Sequence, residues 1–235
     1  MKRIISILCV LMLITVPCFA EFDLSNMSES ELLDLINQAN AQLEKMRTAQ
    51  SDSLESLEFS GDKTKILTNI NIEQGPYRVT FEQQQKGDYS VSYVAGSKSR
   101  ELMSGSGSKC VKALTRTGVF EFDIEASSPW TLKIEPLAIA TGPIHLTGNG
   151  FFVSDIYTLS ASTIVSFTGK YNEFDNYIVD VYTNTGYGWD DDNLYNGLNS
   201  SGNTESFDKI IRTSTPIQVF FTIHSKSVDW TITVD

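Results

Sequence analysis

Histidine and cysteine are scarce in this chain, with two and three respectively among 235 residues. A Ser-His-Asp or Cys-His site needs a base held in place by a third group, and no motif around His145 or His224 supplies one. Two of the cysteines fall within the first 20 residues. If that segment is removed, Cys110 stands alone, no intramolecular disulfide can form, and stability rests on packing. Glycine loops of the phosphate-cradling kind and transition-metal ligand sets are missing too. Positive charge is short: 18 Lys and Arg stand against 29 Asp and Glu, a net charge of -11. That balance argues against nucleic acid and anionic membrane as partners. Long apolar runs are also lacking. The one candidate, Ile4 to Val16, is shorter than the roughly 20 residues a spanning helix needs.

What residues 1–20 do have is the order of a signal peptide: basic Lys2 and Arg3, an apolar stretch, then Cys18-Phe19-Ala20 as a small-residue cleavage site. Processing after Ala20 is expected. Cys18 follows Val16-Pro17 rather than a small residue, which argues against lipidation. Loss of Lys2 and Arg3 leaves 16 basic against 29 acidic residues, or -13, a balance suited to an extracellular protein without stable membrane insertion. Residues 21–235 are long enough for two domains of roughly 80 to 90 residues, each burying its own core.

Ser28-Glu29-Ser30-Glu31 matches a capping box, with Met27 and Leu32 able to form the accompanying staple. From there Leu32, Ile36, Ala39, Leu43 and Met46 recur at steps of four and three and make one apolar stripe. One short amphipathic helix is expected within 21–47, followed by a polar linker over 48–57. Two heptads are too few for a stable coiled coil, so docking on the rest of the chain is the simpler use of the stripe.

Beyond Phe59 the period changes to two. Tyr77-Val79-Phe81, Tyr89-Val91-Tyr93, Phe120-Phe122-Ile124 and Leu132-Ile134 alternate with polar residues between Gly- and Ser-rich turns, as half-buried strands do. The second half then echoes the first. Phe59-Ser60-Gly61-Asp62 corresponds to Leu146-Thr147-Gly148-Asn149, and Tyr77-Val79-Phe81 to Thr163-Val165-Phe167. Gly87-Asp88-Tyr89 corresponds to Asp175-Asn176-Tyr177, Lys109-Cys110-Val111-Lys112 to Lys209-Ile210-Ile211-Arg212, and Trp130 to Trp230. The fold class expected is mostly β: two tandem antiparallel β-sandwich, jelly-roll-like repeats over 58–135 and 146–235, joined through 136–145 and preceded by the helix. One larger jelly roll, with each half supplying a sheet, is the alternative. The spacing between matched blocks grows along the chain, so the second copy carries about a dozen extra residues around Gly186 to Gly202, a length typical of a functional loop.

Ser154-Asp155-Ile156-Tyr157-Thr158-Leu159, Asp175-Asn176-Tyr177 and the closing Trp strand resemble bacterial secreted β-sandwich domains of the pre-peptidase C-terminal type. The opening Phe22-Asp23-Leu24-Ser25-Asn26-Met27-Ser28 is similar to that of exported proteins of Gram-positive anaerobes. The resemblance implies a noncatalytic accessory role.

Trp130 and Trp230 repeat at equivalent positions and are expected in the core, as is Cys110. Trp189 has no counterpart in the first copy. With Tyr171, Tyr187, Asn193 and Tyr195 it forms the candidate ligand set, because flat rings stack on sugar faces while amides bond hydroxyls. Asp190, Asp191, Asp192 and Asn196 concentrate oxygen ligands that could hold Ca²⁺, although the spacing is not that of the twelve-residue calcium hand and a solvated acidic face is the simpler reading. Glu173, Asp175, Asp180 and Asp190 offer carboxylates for a glycosidase, yet nothing pairs them across a cleft. The function expected is a secreted noncatalytic protein that binds an extracellular glycan or protein. A scaffold engaging a partner through its helix is the alternative, and a small hydrolase comes third.

Overall fold

Residues 28, 30, 33–34, 37–38, 41–42, 55–160 and 163–234 are described in a computed structural model of the protein. Ser30, Leu33, Asp34, Asn37, Gln38, Ala41 and Gln42 have helical backbone, and Ser28 does not. The stripe Leu32, Ile36, Ala39, Leu43 and Met46, the signal segment and most of the linker lie outside the described residues.

The rest is mostly β, built from antiparallel sheets in a sandwich-like arrangement. Strands β1 (Leu57–Gly61), β2 (Lys65–Ile72), β3 (Tyr77–Ala95), β4 (Lys98–Leu114), β5 (Gly118–Ala126) and β6 (Trp130–Pro136) make the first half. Two of them are long enough to serve both layers. The leading part of β3, through Gln83, pairs with β6, and the trailing part, Tyr89 to Ala95, pairs with β5. β4 follows it as a hairpin partner along its length, with a register shift between Glu82 and Gly87 where the pair turns from one layer to the other. Alternation then sends Val79, Phe81, Val91, Phe122, Ile124, Leu132 and Ile134 into one fully buried cluster.

The second half contains β7 (His145–Asn149), β8 (Phe152–Val153), β9 (Tyr157–Leu159), β10 (Thr163–Tyr171), β11 (Asp175–Asn184), β12 (Trp189–Asn199), β13 (Thr204–Ile211), β14 (Ile217–His224) and β15 (Val228–Val234). One sheet has the order β13-β10-β15-β7, and the other β12-β11-β14-β8 with β9 also on β14. Their facing sides enclose a separate cluster that includes Val165, Phe167, Tyr177, Val179, Phe221 and Ile232. Burial of each such side chain contributes about 1.5–3 kcal/mol.

The pairing partners run in parallel between the halves. Gly61 faces Trp130 across β1 and β6, and Gly148 faces Trp230 across β7 and β15. Phe81 faces Leu132, as Phe167 faces Ile232. Tyr89 faces Gly105, as Tyr177 faces Gly197. Both tryptophans are buried, and each donates its indole N–H to the carbonyl two residues past its facing glycine, Trp130 to Lys63 at 2.6 Å and Trp230 to Gly150 at 2.9 Å.

The same registers correct two expectations. Phe81 faces Cys110 and Phe167 faces Phe207, so Cys110 corresponds to Phe207 and not to Ile210, which is 55% exposed. Cys110 itself is buried. Nor is 186–202 a loop. Trp189–Asn199 is a strand paired along β11, and the extra length is spread between the turn at 185–188 and the break at 200–203, where β4 runs unbroken.

Candidate functional site

The tip of the β11–β12 hairpin is fixed by its own backbone. Thr185 N–H donates to the Gly188 carbonyl at 3.0 Å, and Gly186 N–H to the Asn184 side-chain oxygen at 2.9 Å. Gly186 has φ +83, a left-handed conformation that glycine adopts without strain. This tight turn pushes the Tyr187 ring fully into solvent. Trp189, two residues on, is only half-exposed, because its ring leans on Phe220 with centroids 5.0 Å apart.

Three turns of the first half face that tip. Gly75 lies between β2 and β3, Ala95 ends β3, and Thr115, Arg116 and Thr117 join β4 to β5. With Tyr187, Gly188 and Trp189 they line a cleft of about 360 Å³ between the halves. Arg116 is its one charged group and is exposed. The cleft thus offers two aromatic rings, a guanidinium, three hydroxyls and the backbone of two glycines. Such a set can stack on a flat apolar face and hydrogen-bond its edge. Among the cleft residues there is no carboxylate or imidazole to move a proton.

The other candidates disperse. Tyr171 is fully buried, its hydroxyl donating to the Gly197 carbonyl at 3.2 Å, and burial pushes its phenol up to about 12. Tyr195 stacks on Phe207 at 4.4 Å at the edge of the second core. Neither belongs to an open site. Asn193 donates to the Asp180 carboxylate at 2.7 Å and positions that group instead.

The acidic run also fails to converge. Asp190 faces Thr183, Asp191 faces Tyr182 and Asp192 faces Val181 on β11, so the alternation of the strand turns Asp191 to the opposite side from its two neighbours. Asn196 lies beyond them, opposite Ile178 and past a register irregularity. Among the described residues no three His, Cys, Asp or Glu come together as a metal site. Two of the carboxylates weighed for hydrolysis, Asp175 and Asp180, are engaged elsewhere. Asp175 Oδ2 accepts from Ser225 Oγ at 2.8 Å and from the amides of Lys226 and Ser227 at 2.6 and 3.0 Å. Burial alone would raise its carboxyl, but these hydrogen bonds outweigh that and hold it below the usual range.

Sequence reasoning missed the joint behind the cleft. Phe220 stacks on Tyr182 with centroids 4.5 Å apart and packs with Val153, Ile156, Val111 and Leu137, drawing both halves into one apolar cluster. Arg78 of β3 reaches across it, its Nε donating to the Val153 carbonyl at 2.9 Å and its guanidinium pairing with Asp155 at 3.1 Å. Lys112 of β4 reaches His224 of β14, with Nζ 2.7 Å from Nδ1. The Ser154-Asp155-Ile156 segment therefore builds this joint. In the sequence, the unbroken apolar run Val219-Phe220-Phe221 on β14 was the available signal, since a strand buried on both faces must be covered twice.

No family model matches the chain, and no curated protein matches it in sequence. Among solved structures, the N-terminal CBM22-1-CBM22-2 tandem domain of Xyn10C from Paenibacillus barcinonensis is 10% identical with a TM-score of 0.28, over 77% of this chain and 86% of that one. An infectious bursal disease virus structure, Gt strain, is 8% identical with a TM-score of 0.27, over 77% and 71%. At these scores neither likeness bears on what this chain binds.

Proposed function

We propose that the protein is an exported, noncatalytic binding protein whose two halves are copies of one β-sandwich module and whose cleft takes a face of a carbohydrate. The observation that carries the reading is the fully exposed Tyr187 ring, held by a tight turn beside Trp189 and across from Arg116. A lone aromatic on a surface is commonplace, but two rings and a cation around one cleft form a surface with a stacking part and a hydrogen-bonding part. The paired Gly-Trp contacts and matching strand registers support the duplication. The signal-peptide order of residues 1–20 and the acidic balance support export. The resemblance to pre-peptidase C-terminal domains agrees with an accessory role.

A glycan array and polysaccharide pull-downs with the purified chain test the reading. Binding that is reproducible in the native protein and lost in Tyr187→Ala is the expected result. Absence of binding across both panels contradicts it and directs attention to a protein partner of the N-terminal apolar stripe.

A further inference from the structure

The polar contact at the joint is a chain of three groups. Lys112 Nζ lies 2.7 Å from His224 Nδ1, and His224 Nε2 lies 3.0 Å from Asp180 Oδ2. Lys112 comes from the first half, and His224 and Asp180 come from neighbouring strands of the second. His224 and Asp180 are both largely shielded, with side chains 16% and 15% exposed. An ammonium only donates, so Nδ1 must accept from it, which puts the single imidazole proton on Nε2 facing the carboxylate. Asp180 is further held by Asn193 at 2.7 Å and by the Thr222 hydroxyl at 3.4 Å. The chain is therefore satisfied with a neutral imidazole in one tautomer.

A second proton can go only on Nδ1, where it would face the Lys112 ammonium at hydrogen-bond distance. One favourable contact becomes a clash of two cations, while the Nε2–Asp180 contact becomes an ion pair. Lys112 is the group that must leave. We propose that His224 is an acid-sensitive latch between the two halves, in which protonation of Nδ1 ejects Lys112 and loosens the joint along β4 and β14.

The charged and titratable groups around the latch are Glu101 and Cys110 on β4, Asp180 on β11 and Lys226 just after β14. Burial pushes the Cys110 thiol up, so it stays neutral. Burial draws the Lys112 ammonium below the ordinary lysine range, against the opposing pull of Asp180 and Glu101, so this site already tolerates one cation poorly. Burial would raise Asp180, but hydrogen bonds from His224 and Asn193, with the charge of Lys112, hold it low and keep it anionic. The remaining joint is apolar contact, the Arg78–Asp155 pair and the Arg78 hydrogen bond to the Val153 carbonyl. Histidine is the side chain whose ordinary charge change falls between pH 5 and 8. His145, the other histidine, is exposed on β7.

The cleft is lined from both halves, so loosening the joint widens it; that extension rests on the carbohydrate reading, whereas the latch itself does not.

Amide hydrogen exchange of the full chain at pH 7.5 and 5.5, corrected for intrinsic rates, reads the latch without any ligand. Amides in 110–114 and 152–156 are expected to exchange at least about fivefold faster at pH 5.5 in the native protein. The difference should vanish in His224→Gln, which cannot take the proton, and in Lys112→Met, which has no cation to eject, while His145→Gln behaves as native. Equal protection of the native protein at both pH values overturns the proposal. So does a pH difference that persists in Lys112→Met, a variant that keeps the test decisive if His224→Gln does not fold. A polysaccharide hit released at pH 5.5 from the native protein but retained by Lys112→Met supports the extension to the cleft. Joint loosening with no polysaccharide binding at either pH leaves the latch standing and removes the carbohydrate reading alone.

Discussion

Gly148 lies directly across the β7–β15 ladder from Trp230, covered so closely by the indole that a Cβ there would meet Cζ2 at 2.5 Å. Gly61 stands in the same relation to Trp130, at 2.6 Å. In both cases the ring is buried and tethered through its N–H, so it cannot swing aside. Gly61→Ala and Gly148→Ala are each expected to cost about 1–3 kcal/mol, the usual range for overpacking. Urea denaturation followed by tryptophan fluorescence measures this. Unchanged midpoints for both variants would contradict the two contacts.

Asp175 ties the start of β11 to the turn ahead of β15 through one carboxylate oxygen that accepts four hydrogen bonds. Its folded-state pKa is depressed. The stabilisation is therefore complete above the unfolded aspartate value, about 4, and is lost as pH falls through the lower folded value. Asp175→Ala is expected to lose roughly 2 kcal/mol at pH 7 and less at a pH low enough to protonate the native residue. Denaturation curves at the two pH values separate this from a packing effect, which would be the same at both.

Tyr187 and Trp189 lie two residues apart but differ in what they support. Tyr187→Ala removes a ring that is fully exposed and should leave stability within about 0.5 kcal/mol. Trp189→Ala uncovers Phe220 at the joint and is expected to cost about 1–3 kcal/mol. Thermal melts of the two variants decide it, and equal stability would place the Trp189 ring off Phe220.

Asp190, Asp191 and Asp192 are exposed and lie on alternating sides of β12. Chelator is expected to leave the melting temperature unchanged, and Asp190→Asn should be within about 0.5 kcal/mol of native. A chelator-dependent fall in melting temperature that Asp190→Asn abolishes would show that the hairpin rearranges to hold a cation.

Much of the fold was legible in period-two alternation. Val79-Phe81 and Val91-Tyr93 read correctly as core-facing positions, as did Trp130 and Trp230, because a half-buried strand repeats every second residue. Tyr171 was wrongly assigned to the ligand set although the signal was there: on β10 it shares parity with Val165 and Phe167, which puts it in the core. The acidic run failed for a different reason. Asp and Asn are poor strand formers, so Asp190 to Asn193 read as loop, and their pairing with β11 overrode that preference. Counting residues across this hairpin also shifted the match for Cys110 from Phe207 to Ile210, because the break at 200–203 has no counterpart in β4. The latch left no local signature. Lys112 and His224 are 112 residues apart, and only the packing of one sheet on another brings them together.

The cleft as a carbohydrate site is tested most directly by isothermal titration of whichever polysaccharide the array identifies, using the native chain, Tyr187→Ala from the second half and Arg116→Ala from the first. Each variant is expected to keep its native melting temperature and to weaken binding at least about tenfold, a change of about 1.4 kcal/mol. Native affinity in both variants would show that the sugar binds elsewhere, and the cleft between the two halves would then lose its assigned role.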